Sequence, residues 1–240
     1  MNFIVTGISK GVGLEITKVL ISKGHTIFGI SRNSSAELDE LRKTYPENLK
    51  WRSYDLTDHR SIRDELFKSF IGLKTEIHGY VNNAALAYDD IITNLNNDPL
   101  EKMFKVNVYS PFNITKNVIR SMLLHQIKGS IVHLSSISVH TGYKGLSMYA
   151  STKGALEAFS KNTAREWGSL GIRSNTIVAG FMETEMSSTL SDKQRNRIFE
   201  RTSLKKPTSL NSVAKTVAYL LEEDSISITG QNIHVDSGTI

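Results

Sequence analysis

Short apolar runs alternate with longer amphipathic segments along the whole chain. The short runs have the length and the Val, Ile and Phe content of buried strands, and they are Phe3–Val5, Thr26–Ile30, Trp51–Tyr54, Gly79–Val81, Ser130–Leu134, Ser174–Val178 and Asn232–Val235. The longer segments carry apolar residues at helical spacing, and they are Leu14–Ser22, Ser61–Phe70, Leu100–Leu124, Met148–Trp167 and Leu210–Leu221. This alternation predicts an α/β fold with a single doubly wound parallel sheet of about seven strands and helices on both faces.

The chain contains no Pro/Gly/Ser-rich linker and no shift in composition that would divide it. We therefore expect one domain spanning residues 1–240. The polar segment 181–207 follows a predicted strand and interrupts the alternation. A segment of that length inside a compact domain is usually a functional lid or an extra pair of short helices, and we interpret it as a lid over a substrate.

Composition excludes several classes of protein. The 240 residues are 39% hydrophobic, which is too apolar for a disordered chain, and the absence of Cys excludes disulfides and cysteine-ligated metal sites. The seven His are dispersed without ligand spacing, so no metal is expected. No apolar run is long enough to span a bilayer. The first residues lead directly into a strand rather than a signal peptide, so the sequence predicts a cytoplasmic protein without a membrane partner.

The net charge of +5 would suit nucleic acid or an acidic substrate. The basic residues are scattered, however, and the densest cluster, Lys193–Arg201, is interleaved with acidic residues. This pattern is typical of a solvated surface. Because no recognition motif accompanies it, nucleic-acid binding is not expected.

A glycine-rich turn, Thr6–Gly13, joins the first predicted strand to the first helix. Glycines in that position allow positive φ and close approach of a ligand, while the helix N-terminus offers N–H groups to a pyrophosphate. The context therefore favours a dinucleotide. The same residues also match the G-x-S-x-G turn of serine hydrolases, but only six residues precede Gly7, so the upstream loop that completes an oxyanion hole is missing.

The end of the second strand indicates which dinucleotide binds. A carboxylate there would accept hydrogen bonds from the ribose 2′-hydroxyl of NAD, but the chain has Ser31, Arg32 and Asn33. Arg32 can pair with a 2′-phosphate, and Lys10 can reach it as a point charge. The sequence therefore favours NADP(H).

Tyr149 and Lys153 lie four residues apart in a predicted helix and share one face. A neighbouring ammonium favours phenolate, so the pKa of Tyr149 is expected to be lowered and the hydroxyl to exchange a proton with a carbonyl oxygen. Ser136 lies at the carboxyl end of a central strand, where ligands bind in open α/β sheets. Its hydroxyl could hold the same carbonyl.

With these motifs the chain resembles the short-chain dehydrogenase/reductase family, which has a Rossmann-like fold, over nearly its full length. The family's glycine motif corresponds to Thr6–Gly13 and its N-N-A-G segment to Asn82–Ala85. The resemblance implies catalytic roles for Asn107, Ser136, Tyr149 and Lys153. It also implies a cofactor site formed by Gly7, Ser9, Lys10, Gly11, Val12, Gly13, Ser31, Arg32, Asp55, Leu56, Asn83, Ala84, Tyr149, Lys153, Gly180, Met182 and Thr184. Ala85, Ala179 and Ser237 replace the family's usual Gly, Pro and Gly.

Within the family, the chain is most similar to bacterial 3-oxoacyl-acyl-carrier-protein reductases, in the segments Asn83–Asp89, Gly180–Met186 and Ile228–Gln231. The resemblance implies NADPH-dependent reduction of a 3-oxoacyl thioester in fatty-acid biosynthesis, on a small-molecule or carrier-protein-bound acyl substrate, by a homodimer or homotetramer. Reduction or oxidation of a sugar, polyketide or other small ketone or alcohol remains an alternative, as does a cofactor-binding regulator without turnover. Candidate residues lining the substrate pocket are His140, Tyr143, Met148 and Met186.

Overall fold

Seven parallel strands form one sheet in the order β3-β2-β1-β4-β5-β6-β7. The computed structural model describes residues 1–183 and 192–239. The strands are β1 Asn2–Thr6, β2 Thr26–Ser31, β3 Leu49–Ser53, β4 Gly79–Asn82, β5 Ser130–Ser136, β6 Arg173–Ala179 and β7 Asn232–Val235. The predicted doubly wound α/β sheet is confirmed, and the carboxyl ends of all seven strands lie along one edge.

Eight α-helices are described around the sheet. They are α1 Gly11–Ser22, α2 Ala36–Thr44, α3 Asn97–Phe104, α4 Ser110–His125, α5 Ser138–Thr141, α6 Ser147–Trp167, α7 Asp192–Phe199 and α8 Leu210–Leu221. Two further helical segments have π geometry, namely Arg63–Ile71 and Lys105–Tyr109. The long helix predicted over Leu100–Leu124 is found as one continuous helical stretch, in which the π segment Lys105–Tyr109 joins α3 directly to α4.

Two short helices escaped the sequence pattern. α2 buries only Leu38 and α5 has four residues, so neither shows apolar periodicity over several turns. α7 lies inside the polar segment interpreted as a lid. Residues 184–191 of that segment lie outside the described residues.

Two apolar layers cover the two faces of the sheet. One packs α1 and α8 against it and includes Leu20 and Val217. The other packs α4 and the π segment Arg63–Ile71 against it and includes Val118 and Leu66. Nearly every residue of β1, β4 and β5 is buried, as expected for central parallel strands covered on both faces.

The direction of winding reverses between β1 and β4. From β1 the chain proceeds outward to β2 and β3, then returns to β4 on the other side. Helices on opposite faces diverge at such a point and leave a crevice at the carboxyl ends of the strands, where ligands bind in open α/β sheets. The fold thus places its main cleft beside the glycine turn.

Candidate active site

A cleft of about 610 Å³ opens at this point of reversal. Most of the sequence-predicted cofactor residues line it, and these are Gly7, Ser9, Lys10, Gly11, Val12, Ser31, Arg32, Asp55, Leu56, Asn83, Ala84, Tyr149, Lys153 and Met182. The volume and the mixed polar and apolar wall are typical of a site for a small organic ligand. One continuous surface therefore joins the glycine turn to the Tyr149–Lys153 pair.

The glycine turn has a backbone that side chains would obstruct. Gly7 and Gly11 have φ of +75° and +58°, in the region that favours glycine. A Cβ on Gly13 would lie 2.1 Å from the Gly7 carbonyl oxygen and 2.4 Å from Asn83 Nδ2. Gly13 does not line the cleft; it allows α1 to pack closely against the turn.

The first turn of α1 presents its amides to the cleft. Lys10 is the N-cap, with no side-chain capping bond and no acidic residue in the first turn of this described helix. Unpaired N–H groups and the positive end of the helix dipole favour an anion. The residues present therefore fit a dinucleotide pyrophosphate.

Thr6 and Asn83 clamp the turn to β4. Asn83 Nδ2 donates to the carbonyl oxygens of Thr6 and Gly7 at 3.0 and 3.1 Å. In return, Thr6 Oγ1 accepts from the amides of Asn83 and Ala84 at 3.2 and 3.1 Å. Sequence reasoning gave Thr6 no role beyond its place in the motif, and these reciprocal bonds hold the glycine turn against the residues that follow β4.

The wall at the end of β2 is polar and carries a cation. Ser31 Oγ accepts from Trp51 Nε1 at 2.9 Å and donates to the Asn33 carbonyl at 2.8 Å, while the Arg32 side chain is exposed. Ser35 Oγ donates to the Ser9 carbonyl at 2.6 Å, which fastens this wall to the glycine turn. This corner fits an anionic group on an adenosine ribose.

Asp55 is the one acidic residue among the described residues that line the cleft. Burial alone would raise the pKa of this carboxyl, but hydrogen bonds from Thr57 and the charges of Arg32 and Lys102 outweigh it and lower the pKa. The Thr57 amide donates to Asp55 Oδ1 at 2.9 Å. Asp55 is therefore ionised at neutral pH, and its carboxylate can accept hydrogen bonds from the amino group of an adenine ring. Leu56 lies next to it and lines the same wall.

Tyr149 and Lys153 lie on one face of α6. Lys153 Nζ is 5.7 Å from the centre of the Tyr149 ring, and Nζ donates to the Leu134 carbonyl at 2.7 Å. Burial lowers the pKa of Lys153 to about 8. Burial, and second the charge of Asp89, raise the pKa of Tyr149. The lowered pKa expected from the sequence is thus not found, because burial and the charge of Asp89 both raise the pKa of Tyr149.

Ser136 ends β5 and is bonded to the turn that follows. Its Oγ accepts from the Ser138 amide at 3.2 Å and from Ser138 Oγ at 3.0 Å. Both bonds use Ser136 Oγ as the acceptor, so its own proton remains available for a ligand. Ser135, its neighbour, lines the cleft.

Asn107 lies in the π turn between α3 and α4 and is 1% exposed. Its Nδ2 donates to the Leu86 carbonyl at 2.8 Å and to Thr152 Oγ1 at 3.0 Å, and its Oδ1 accepts from the Leu86 amide at 2.8 Å. Thr152 Oγ1 in turn donates to the Tyr149 carbonyl at 2.7 Å. Asn107 therefore supports α6 from behind instead of lining the cleft, and Thr152, which the sequence analysis missed, is the link.

Several other residues predicted for the cofactor or substrate site do not line the cleft. Gly180 does not line the cleft; its amide donates to the Val235 carbonyl at 3.0 Å, and a Cβ there would lie 2.4 Å from Thr208 Oγ1. Among the lining candidates, Met148 is buried and His140 contacts Glu157. Thr184 and Met186 lie outside the described residues.

Two of the three departures from the family motifs lie at the cleft, and the third, Ser237, adopts a backbone conformation that favours glycine. Ala85 lines the cleft, and Ala179 ends β6 beside it. Ser237 has φ +59°, in the left-handed region that favours glycine. Its carbonyl accepts from the Leu204 amide at 3.1 Å, which ties the chain end to the segment after α7.

The doubly wound sheet, the glycine turn at its point of reversal and a Tyr–Lys pair in one cleft define a nicotinamide-dinucleotide oxidoreductase. A sequence profile described as enoyl-(acyl carrier protein) reductase matches residues 7–239. The chain belongs to the short-chain dehydrogenase/reductase family.

Individual relatives differ in substrate. The 3-oxoacyl-[acyl-carrier-protein] reductase FabG of Salmonella typhimurium is 30% identical over 98% of this chain and 95% of its own length. A solved 4-hydroxyisoleucine dehydrogenase complexed with NADH is 25% identical, with a TM-score of 0.92, over 99% of this chain and 98% of that one. A structure described as a 2-deoxy-D-gluconate 3-dehydrogenase from Agrobacterium tumefaciens, with bound NADP, is 21% identical, with a TM-score of 0.91, over 99% and 95%. At that identity the last likeness shows the fold alone.

No helix in residues 1–183 and 192–239 is long and apolar enough to cross a membrane. The same residues contain no group of His, Asp and Glu arranged to hold a metal ion.

Proposed function

We propose that this protein is an NADPH-dependent carbonyl reductase whose substrate is a 3-oxoacyl thioester. The observation that carries the proposal is the cleft itself, in which the glycine turn and the Tyr149–Lys153 pair share one wall. The FabG relative supplies the substrate class, because it matches this chain over nearly the full length of both proteins. Bound NADPH would supply the hydride that reduces the carbonyl carbon.

Tyr149 is the proton donor in this proposal. Its raised pKa keeps the phenol protonated at neutral pH, and a protonated acid is what the reduced oxygen requires. The Ser136 hydroxyl donates a hydrogen bond to the substrate carbonyl oxygen and orients it beside Tyr149, which transfers the proton.

Lys153 holds the cofactor ribose. An ammonium has three N–H donors, and one of them bonds the Leu134 carbonyl. The other two are available for ribose hydroxyls. Asn107 acts through Thr152, whose hydroxyl bonds the Tyr149 carbonyl, and so holds the first turn of α6 in place.

NADPH is proposed over NADH because of charge. The described wall from Ser31 to Ser35 contains Arg32 and no carboxylate. A 2′-phosphate gains a charge-assisted hydrogen bond from Arg32, and no acidic side chain repels it there.

Spectrophotometric assays test both parts of the proposal. Purified protein is mixed with NADPH or NADH and with an acetoacetyl thioester, and the loss of reduced nicotinamide absorbance is followed. We expect loss with NADPH to exceed loss with NADH by at least about tenfold, which corresponds to one charge-assisted hydrogen bond. Turnover of a crotonyl thioester instead would indicate reduction of a carbon–carbon double bond.

Sugars, polyketide-type ketones and hydroxy amino acids test the alternative substrates. The alternative rests on the 4-hydroxyisoleucine dehydrogenase, which matches this chain with a TM-score of 0.92. If the acetoacetyl thioester is inert and NADPH still binds by thermal shift, the thioester proposal fails and one of these substrates takes its place. Binding of NADPH without turnover of any of them would favour a cofactor-binding regulator.

We also propose that the protein forms a homodimer or homotetramer. Tyr109, immediately before α4, and Leu124, near the end of α4, remain 47% and 70% exposed. Phe112, in contrast, stacks on Phe159 of α6 with ring centres 3.8 Å apart, so that ring is used within the subunit. Light scattering during size-exclusion chromatography tests the proposal, and a monomer at micromolar concentration would contradict it.

A further inference from the structure

Glu157 is a buried carboxylate with no part in the reaction proposed above. It lies on α6 one helical turn after Lys153, and the residue is 8% exposed. Burying a carboxylate is costly unless several hydrogen bonds replace its water. Its partners therefore indicate why the fold retains it.

Three side chains from three elements converge on this carboxylate. Ser135 Oγ of β5 donates to Oε1 at 2.5 Å, and Asn232 Nδ2 of β7 donates to Oε2 at 2.8 Å. His140 Nε2 of α5 lies 3.2 Å from Oε1 and 3.1 Å from Oε2. Glu157 thus ties α6 to two strands and to α5. The His140 ring also packs edge-on against His234, at 5.0 Å between ring centres.

Two of these partners flank Ser136. Ser135 precedes it in β5, and His140 lies in the four-residue helix that begins two residues after it. A helix of four residues cannot hold its own orientation. It is followed by Gly142 at φ +66° and Gly145 at φ +85°, which place little restraint on the backbone. External bonds must therefore fix α5, and the bond from His140 to Glu157 is one of them.

Tyr149 and Glu157 lie on the same helix. A helix of 21 residues is stiff, so the position of Glu157 determines the position of Tyr149, about 12 Å further along the axis. The bonds of Glu157 to Ser135 and His140 then set where Ser136 lies relative to Tyr149.

We propose that Glu157 is a positioning residue that fixes the relative placement of Ser136 and Tyr149, the two groups that act on the substrate carbonyl. This inference rests on the proposed function for its kinetic consequence. Its structural consequence, a fixed α5, is independent of the substrate.

The donor pattern suggests a conservative variant and a rescue. Ser135 and Asn232 both donate to the carboxylate, and a carboxylate accepts through both oxygens. Glu157→Gln keeps the volume but turns one side of the group into a donor, which then faces another donor. The double variant Glu157→Gln/Asn232→Asp restores both hydrogen bonds. The introduced glutamine donates its amide N–H to the introduced aspartate on β7, and the glutamine oxygen still accepts from Ser135 Oγ.

The kinetic arm measures kcat, KM and NADPH affinity with the acetoacetyl thioester. We expect Glu157→Gln to lower kcat by about 10- to 100-fold, as a displacement of about 1 Å between catalytic groups does. The NADPH dissociation constant should stay within about twofold of that of the wild type, because none of the changed atoms lines the cofactor cleft. The double variant should recover kcat to within about threefold. Glu166→Gln, an exposed change on the same helix, should leave kcat unchanged.

The structural arm measures amide hydrogen exchange in peptides covering 136–146, without substrate. The amides of His140 and Thr141 both donate to the Ile137 carbonyl in wild type. We expect Glu157→Gln to accelerate exchange there by at least about tenfold, and the peptides of α1 to be unaffected.

Each arm can overturn the proposal. Wild-type kcat in a folded Glu157→Gln variant would do so, as would unchanged exchange at 136–146. Two other outcomes would show a general structural role instead. One is a Glu157→Gln variant in which the affinity for NADPH falls as much as kcat does. The other is a double variant that recovers the wild-type melting temperature but not the wild-type kcat. If wild type does not turn over the thioester, the proposed function fails, and the exchange arm still decides whether Glu157 holds α5.

Discussion

Lys153 Nζ donates to the Leu134 carbonyl at 2.7 Å, from a residue that is 2% exposed. The ammonium is thus held under β5 at the floor of the cleft. Burial there lowers its pKa from the ordinary 10.5 to about 8. Burying the Lys153 ammonium therefore lowers the free energy of unfolding at neutral pH, although the same group would hold the cofactor ribose.

This cost predicts a pH dependence of stability. Between pH 8 and 10.5 the unfolded chain binds a proton at Lys153 that the folded chain has lost. The free energy of unfolding therefore rises with pH over this range, by up to about 3 kcal/mol from this group. Urea unfolding of wild type and Lys153→Met, from about pH 7 to about pH 10, isolates the contribution, because other groups titrate in both proteins. A difference that does not change with pH would contradict it.

Tyr149→Phe removes the proposed proton donor and leaves the ring in place. We expect kcat to fall by about 10²- to 10⁴-fold, the usual contribution of a positioned acid. NADPH affinity, measured by fluorescence titration, should be nearly unchanged. Tyr45→Phe, at a 40% exposed residue after α2, is the matched control and should keep full activity. Turnover at the wild-type rate in Tyr149→Phe would refute the assignment of the acid.

Asp89→Asn tests the electrostatic environment of Tyr149. The negative charge of Asp89 raises the pKa of Tyr149, so removing the charge should lower that pKa. The alkaline limb of the kcat profile should then move to lower pH, since the acid loses its proton earlier. The exposed Asp98→Asn in α3 should leave the profile unchanged. A limb that stays in place or moves to higher pH would exclude the proposed coupling.

Arg32→Ala tests the choice of cofactor. Losing a charge-assisted bond to the 2′-phosphate should weaken NADPH binding by roughly 10- to 100-fold, and NADH binding should change little. Lys43→Ala, at an exposed cation on α2 whose side chain is 77% accessible, controls for general charge. Equal losses for both cofactors in Arg32→Ala would mean that Arg32 does not read the 2′-phosphate.

Gly13→Ala tests the close packing of the glycine turn. The new Cβ would lie 2.1 Å from the Gly7 carbonyl oxygen, and relieving that overlap should cost about 1–3 kcal/mol of stability and displace the turn. Thermal unfolding and NADPH titration measure both effects. Gly168→Ala, at φ −60° with nothing within 4 Å of the new Cβ, should be neutral or stabilising by up to about 1 kcal/mol. Equal behaviour of the two variants would contradict the packing argument.

The strands and the long helices were predictable because their signals are local. Each predicted strand overlaps an observed one, and α8 begins and ends at the predicted residues. The predicted order of strand and helix fixed the fold class, since short crossovers allow few other arrangements. The glycine turn and the spacing of Tyr149 and Lys153 are also local patterns, and residues from both patterns line the cleft.

Contacts between distant segments carry no such signal. The sequence assigns Asn107 a catalytic role only by resemblance and gives no sign that its amide reaches Thr152, 45 positions away, and supports the first turn of α6. The pKa of Tyr149 was expected to fall because Lys153 is near in sequence, whereas burial raises it. Burial depends on everything that packs around the ring, and no pattern of spacing reports that.

The sequence by itself therefore determined the α/β class, the place of the glycine turn and the residues able to exchange a proton or bind a 2′-phosphate, because these follow from periodicity and side-chain chemistry. Only the tertiary structure decided that Glu157 joins Ser135, His140 and Asn232. Asn232 lies 75 positions from Glu157 along the chain. Such groups meet because the sheet brings β5 and β7 beneath α6, and the cost of burying a charge then requires that they bond.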